Sequence, residues 1–394
     1  MKILAVTTMY PNKSQPVHAV FVKQRLMHIK KKIKVSIICP IPWFPFYWLI
    51  DRYKHRRNIP HYESHEGVDV YYPRFFSIPK LFKPLEGISL LMALMVFIKI
   101  HKMTFNIIEA HLPFPEGFSA VLLGKLYRKP VSITLRGHDI NDLPRYPLRK
   151  RMIVYALKNC TTIFSVASAL KKGAVDLGIS PDKINVIGNG VDPERFPLVD
   201  KKTARETLKM PYDKKIILSV GHLVERKGFH IVVNSVSKLI HNYGMELLLV
   251  IVGSGGEEGD YSKEIKKCIT MNKLENDVLL VGAVENEKLF WWYNAADVFC
   301  LASSKEGWAN VLLESLSCGT PVVATNVWGT PEVITQPNLG VLVERNENEI
   351  ADGLREVLQK EWNREYLNEY SLKFTWDSIC DGIFKKYSSL VSDL

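Results

Sequence analysis

Paired cysteines are missing from this sequence. Its six cysteines, Cys39, Cys160, Cys268, Cys300, Cys318 and Cys380, lie far apart with no C-x-x-C spacing. Met1 to Pro11 does not read as a signal peptide, because its short apolar core is broken by threonines. Reduced, buried thiols in a cytoplasmic protein are therefore expected. Long apolar runs are missing too: the longest uncharged one, Gly87 to Ile98, falls short of the ~20 residues that cross a bilayer and reads as a core helix. There is no Walker loop, no H-E-x-x-H and no G-x-S-x-G. The Gly253-Ser254-Gly255 turn does not complete a dinucleotide fingerprint, because Glu258 stands where its third glycine belongs. Acidic residues are absent before Asp51, whereas eight basic ones precede it.

What is present describes an ordinary globular chain of 394 residues, 47% hydrophobic and 24% charged, long enough for two domains with full cores. Charge is unevenly spread. Residues 1 to 200 carry 30 Lys and Arg against 14 Asp and Glu, an excess of 16, while the remainder carries 22 against 27. Strand-like and helix-like segments alternate from Lys2 to Ile187, apart from a long Pro-, aromatic- and Lys/Arg-rich connection from Pro40 to Lys83 around one short strand, Val68 to Tyr72. The alternation restarts at Ile216 and runs to Ala324, after a boundary stretch from Asp192 to Lys214 that holds three prolines. That rhythm predicts an α/β protein of two Rossmann-like, doubly wound parallel-sheet domains, 1–192 and 193–375.

In open parallel sheets ligands bind at the carboxyl ends of the strands, and several motifs fall there. Ser303 to Glu314 follows the buried strand Val298 to Leu301 and leads into a helix carrying Val311, Leu312, Leu313 and Leu316. A helix N-terminus offers unpartnered N–H groups and a dipole that favours an anion, so this turn is a phosphate seat. Glu306 and Glu314, eight residues apart, can accept hydrogen bonds from a polyol, each worth ~1.5 to 3 kcal/mol. Arg226 and Lys227 follow the strand Ile216 to Val220, where adjacent cations can face a diphosphate. Arg136-Gly137-His138-Asp139 ends the strand Val131 to Leu135, and a histidine there can exchange a hydrogen bond with a sugar hydroxyl across an interdomain cleft. Each motif alone has a plain structural reading, and His61 and His65, four apart near Glu63 and Glu66, read as a polar loop and not as a metal site. No two aspartates stand two positions apart, which removes the D-x-D pair by which many sugar transferases hold a metal on a diphosphate.

Taken together, Glu306-Gly307-Trp308-Ala309-Asn310-Val311-Leu312-Leu313-Glu314, Ser317 to Thr325, Asn189 to Asp192, Val220-Gly221, Glu225 to Gly228, Pro115-Glu116-Gly117 and Thr134 to Asp139 stand in one family's order. The chain resembles glycosyltransferase family four, the retaining, metal-independent enzymes of GT-B fold, over nearly its full length. It looks closest to bacterial members that build cell-surface polysaccharide, such as the teichuronic acid transferases. The resemblance implies two domains facing across a cleft, a first one that meets the acceptor, a second one that binds a nucleoside diphosphate sugar, and a final segment, 376–394, that crosses back onto the first. It assigns the diphosphate to Arg226 and Lys227, the ribose hydroxyls to Glu314, and the donor sugar and phosphate to Glu306 with the backbone of Gly307, Trp308, Ala309 and Asn310. His138 would touch the donor sugar near the reacting carbon, and Gly221, Gly253 and Ala19 would lie against substrate. Where many relatives have a glycine pair, this chain has Val17-His18-Ala19.

The implied activity is transfer of a sugar, with UDP the expected carrier on family frequency, to a saccharide or lipid-linked acceptor, with no cofactor and no metal. A GT-B sugar-nucleotide epimerase shares the donor site but needs no acceptor. A nicotinamide-dependent oxidoreductase lacks its fingerprint here, and no nucleic-acid module is recognisable. Trp43, Phe44, Phe46, Tyr47 and Trp48, followed by Arg52, Lys54, Arg56 and Arg57, point to an anionic membrane surface, since aromatics settle at headgroup level and each basic residue gains ~1 kcal/mol there. Peripheral attachment to the inner face of the cytoplasmic membrane is expected.

Overall fold

The computed structural model describes residues 1–16, 18–79, 81–256 and 258–392. The chain divides into two compact units, one formed by residues 1–189 with the closing segment from Trp376 and the other by Gly190–Thr375. The division falls just ahead of the expected boundary at 192.

The strands of the first unit are β1 (Lys2–Val6), β2 (Lys34–Ile38), β3 (Ile41–Trp43), β4 (Tyr62–His65), β5 (Val68–Tyr71), β6 (Arg74–Phe76), β7 (Ile107–Ala110), β8 (Val131–Leu135), β9 (Thr162–Ser165) and β10 (Ile184–Val186). Eight of them form one sheet in the order β10-β9-β8-β7-β1-β2-β5-β4, and β3 pairs with β6 separately. The apolar stretches at β1, β7, β8 and β9 become strands because they are buried in the middle of a parallel sheet, with further strands on either side. The chain reverses direction across the sheet between β1 and β7. Pro40 to Lys83 therefore holds more than the single strand expected there, which is β5: β3, β4 and β6 are too short, and too interrupted by proline and charged residues, for periodicity to reveal them. Strand β4 runs antiparallel to β5, so this sheet is mixed at its edge. His65 is in β4, its Nε2 2.8 Å from Glu63 Oε2, which places the pair in a strand and not in a loop.

The helix Glu86–Ile100 departs from the core helix expected. Gly87, Leu90, Leu94 and Ile98 are buried, but Ile88, Met92, Met95, Val96 and Ile100 are exposed. One stripe of a helix can face a sheet, and the described residues place no layer over the other side. The aromatic stretch divides as well, with Phe44 and Tyr47 buried and Trp43, Phe46 and Trp48 exposed. On the other face of the sheet, the final helix Trp376–Ser392 packs beside Val20–Lys30, contributing Trp376, Cys380, Ile383 and Tyr387 to the core. Tyr387 Oη lies 2.7 Å from Ser132 Oγ of β8, and Asp377 receives Lys31 Nζ at 2.8 Å.

The second unit is a six-stranded, wholly parallel sheet: β11 (Lys215–Val220), β12 (Leu247–Val252), β13 (Val278–Gly282), β14 (Val298–Leu301), β15 (Val322–Thr325) and β16 (Gly340–Val343), in the order β13-β12-β11-β14-β15-β16. Cores lie on both faces. Strand β16 was not foreseen; it is short and opens on a glycine whose Cβ would lie 2.0 Å from the Val322 carbonyl oxygen. The reversal of direction falls between β11 and β14, which is where a doubly wound sheet leaves a crevice for a ligand.

Candidate active site

Two loops leave the sheet of the second unit at that reversal and are clamped to each other. Arg226 and Lys227 sit in a single 3-10 turn, Glu225–Lys227, after β11. Gly228 then turns with φ 71°, bringing the backbone so close to β14 that a Cβ there would lie 2.3 Å from the Ala302 carbonyl oxygen. The amide of Ser304 donates to the Arg226 carbonyl at 2.9 Å, and Arg226 Nη1 donates to the Lys305 carbonyl at 3.0 Å. Glu306 closes the arrangement. Its Oε1 accepts from Lys227 Nζ at 2.5 Å and from Ser303 Oγ at 2.6 Å, with Arg226 Nη1 3.8 Å away. Arg226, Lys227 and Glu306, with Lys227 and Glu306 79 residues apart in sequence, are thus brought together because β11 and β14 are neighbours in the sheet.

The other residues singled out from sequence take distinct places. Gly221 directly follows β11 and Gly253 directly follows β12. A Cβ on Gly253 would lie 1.8 Å from the Gly221 carbonyl oxygen, so close backbone approach, and not a tight turn alone, demands glycine here. Gly307 and Trp308 belong to the loop, while Ala309 is the buried N-cap of the helix Asn310–Ser317. Glu306 therefore precedes the helix by several residues, whereas Asn310 begins it. Trp308 packs on Phe374 at 6.2 Å between centroids, and its buried Nε1 lacks a hydrogen-bond partner among the described residues. Glu314 lies one turn inside the helix and accepts from Tyr293 Oη at 2.9 Å. Burial pushes its carboxyl up to about 7, against the opposing hydrogen bond from Tyr293.

Two side chains that sequence reading did not assign complete this site. Glu258 holds Arg226 with contacts of 3.0 Å to Nε and 2.7 Å to Nη2. It occupies the guanidinium as an anionic ligand would. Tyr293 fixes Glu314. Neither residue belongs to a recognisable motif, and only the sheet order brings them in.

In the first unit, His138 is exposed on the short helix His138–Asn141, its Nδ1 3.2 Å from Asp142 Oδ2. Ala19 caps Val20–Lys30 in the left-handed region, φ 49° and ψ 42°, a conformation that glycine adopts without strain; Val17 lies outside the described residues. At the reversal between β1 and β7 a second charged cluster appears. Arg25 Nη2 lies 3.0 Å from Glu109 Oε1 with both side chains enclosed, and Arg136 Nη2 lies 2.7 Å from His111 Nδ1. Glu116 accepts from the Thr8 hydroxyl at 2.6 Å and from the His111 amide at 3.1 Å. Burial raises the Glu116 carboxyl to about 7 and drives His111 well down. The signal for this cluster was Glu109, a carboxylate within the apolar strand Ile-Ile-Glu-Ala.

Comparison with known proteins gives the arrangement its setting. The family described as Glycosyl transferases group 1 matches residues 200–374, and Glycosyltransferase Family 4 matches residues 53–195. TuaC of Bacillus subtilis (strain 168), a glycosyltransferase named for teichuronic acid biosynthesis, is 26% identical over 389 residues, covering 92% of this chain and 95% of its own. CapM of Staphylococcus aureus, a capsular polysaccharide biosynthesis glycosyltransferase, is 26% identical over 312 residues, 74% of this chain and 79% of its own. Among solved structures, sucrose-phosphate synthase of Thermosynechococcus elongatus aligns at TM-score 0.82 and 19% identity over 100% of both chains. Anabaena Alr3699/HepE, solved in complex with UDP and glucose, aligns at 0.75 and 19% over 99% of this chain and 100% of its own. Those likenesses carry the GT-B fold. With matching models on both of its units, the chain belongs to glycosyltransferase family 4.

Proposed function

We propose that this glycosyltransferase takes a sugar from a UDP-sugar and transfers it, with retention and without a metal, to a saccharide or lipid-linked acceptor in cell-surface polysaccharide assembly. The observation that carries the reading is the meeting of Arg226, Lys227 and Glu306 at the β11/β14 reversal, with Glu306 on the loop that leads into Asn310–Ser317. The names of TuaC and CapM support the polysaccharide, and the UDP and glucose bound by HepE support the donor.

In this reading the bond from the anomeric carbon to the diphosphate oxygen breaks, and both of its electrons leave with the diphosphate. Arg226 and Lys227 neutralise the growing negative charge, an effect worth ~10² to 10³ in rate per donor removed. The acceptor hydroxyl oxygen bonds to the same face of that carbon and its proton passes to the departing diphosphate. Glu306 holds Lys227 in place and meets the donor sugar together with Gly307 to Asn310. Glu314 takes the ribose hydroxyls, and His138 is assigned to the donor sugar. Because the cations of the chain carry the charge stabilisation, no metal step is needed.

The same reading puts the enzyme on the inner face of the cytoplasmic membrane, where a lipid-linked glycan is extended. Its first basis is the exposed Trp43, Phe46 and Trp48 next to Arg52 and Arg57.

The decisive experiment incubates the protein with labelled UDP-, GDP- and ADP-sugars and a panel of lipid-linked acceptors, with and without EDTA. The expected result is EDTA-resistant transfer from a UDP-sugar, with the donor's anomeric configuration kept in the product by NMR. Release of an altered free sugar nucleotide without acceptor overturns the transferase reading. Inversion overturns retention, and loss of activity in EDTA overturns metal independence.

A further inference from the structure

The helix Glu86–Ile100 spends its apolar side chains on two faces, and only one has a partner. Leu90, Leu94 and Ile98 enter the core against the sheet. Ile88, Met92, Val96 and Ile100 stand on the opposite side with exposures of 48%, 64%, 59% and 69%. The turn leading into the helix adds Phe82 and Leu85, 66% and 54% exposed. Burying such side chains is favourable, and globular proteins rarely leave so many together in water.

Charge around this face has one sign. Between residues 70 and 106 the only acidic residue is Glu86, and its carboxylate is engaged by Lys83 and Ser77. Lys99 and Lys102 are exposed at the far end of the helix. The helix Pro147–Asn159 packs into the same core, with Met152 Cε 3.3 Å from where a Cβ on Gly87 would lie. It carries Arg149, Lys150 and Arg151 beside the exposed Leu148, and no Asp or Glu occurs from 143 to 175. Among the described residues no helix is long and apolar enough to cross a membrane, and at ~1.5 Å per residue this one is suited to lie flat in an interface.

We infer that the outer face of Glu86–Ile100, with Phe82 and Leu85 before it, is an in-plane insertion surface for an anionic lipid bilayer. Apolar side chains enter at the boundary of the acyl chains, and the flanking lysines and arginines meet anionic headgroups. A second copy of the chain is the poorer occupant, because a two-fold contact on this face would set one basic rim against another. The inference rests on the membrane reading above and names the surface that reading lacked: the helix anchors, and the Trp43 to Arg57 stretch assists.

The test is flotation with vesicles of phosphatidylcholine, alone or with phosphatidylglycerol, at low and high salt. The full chain is compared with Met92→Glu/Val96→Glu, with Lys150→Gln/Arg151→Gln, and with Arg52, Lys54, Arg56 and Arg57 changed together to Glu. All these positions except Arg56 are exposed, and unchanged thermal unfolding checks each fold. We expect the parent to float with the anionic vesicles, Met92→Glu/Val96→Glu to lose about tenfold or more in partitioning at either salt, and Lys150→Gln/Arg151→Gln to weaken binding at low salt only. Unchanged flotation of Met92→Glu/Val96→Glu, with loss in the Arg52 to Arg57 variant, overturns the helix as anchor and leaves the membrane reading standing. A parent that stays unbound overturns both, and a parent dimer in sedimentation that Met92→Glu/Val96→Glu dissociates then assigns the face to a second copy.

Discussion

The two units each gather charge where their parallel sheet reverses direction, yet they use it oppositely. In the first, Arg25 and Glu109 face each other with side chains no more than 1% exposed, and the neighbouring Glu116 spends its oxygens on Thr8 and His111. In the second, Lys227 and its partner Glu306 are largely enclosed, at 13% and 10% exposure, but Arg226 keeps 29% of its side chain in contact with solvent and is held by Glu258, itself 55% exposed. A buried pair costs more to desolvate than an open one and is lost only at high penalty, so it braces. An open pair exchanges its partner for a ligand at low cost. The difference teaches that charge at a switch point is not by itself a binding site; access decides.

The largest expected effect comes from breaking the brace. Arg25→Ala leaves the Glu109 carboxylate buried without its cation and should cost ~3 to 5 kcal/mol in denaturant unfolding of the first unit. A loss below ~1 kcal/mol would mean that the pair is not a brace. Lys227→Ala, by contrast, should lower turnover by ~10² to 10³ while the fold persists, since Arg226 remains 3.8 Å from Glu306. Steady-state transfer and circular dichroism of the same preparation check this, and near-normal transfer sinks the leaving-group assignment.

Smaller effects sharpen the contrast. Glu258→Gln should free Arg226 from its carboxylate and tighten UDP binding by roughly two- to fivefold in calorimetry, as expected for an exposed pair worth ~0.2 to 1 kcal/mol. Weaker binding would show that Glu258 helps the ligand and does not compete with it. The last concerns Glu314, whose carboxyl is raised from 4.5 to about 7 chiefly by burial. A raised carboxyl favours the protonated fold, so its contribution is fully present below 4.5 and is lost as pH rises through about 7. Glu314→Gln cannot ionise, and the pH dependence of its ligand-free unfolding should be flatter across that window. An unchanged slope would show that Glu314 does not titrate there.

Much of this was legible in advance, and the failures have physical causes. Strands buried on both faces, such as Val298–Leu301, announce themselves as apolar runs, and so the alternation that defines the two sheets could be read directly. Glu306, Arg226 and Lys227 could be named because a strand end followed by a charged turn is a local pattern. Glu258 and Tyr293 could not, because what makes them matter is a neighbour 32 and 21 residues away in sequence. The short strands β3, β4 and β6 escaped because so few residues, interrupted by proline and charge, carry no clear period.

The sequence by itself determined the α/β rhythm, the excess of positive charge in the first 200 residues and the order of the motifs, since all three are properties of neighbours along the chain. Only the tertiary structure decided which charges are shut in and which stay open, and which side of Glu86–Ile100 is covered. Burial depends on what packs above a residue, and an apolar helix looks the same in sequence whether one of its faces meets a core or both do.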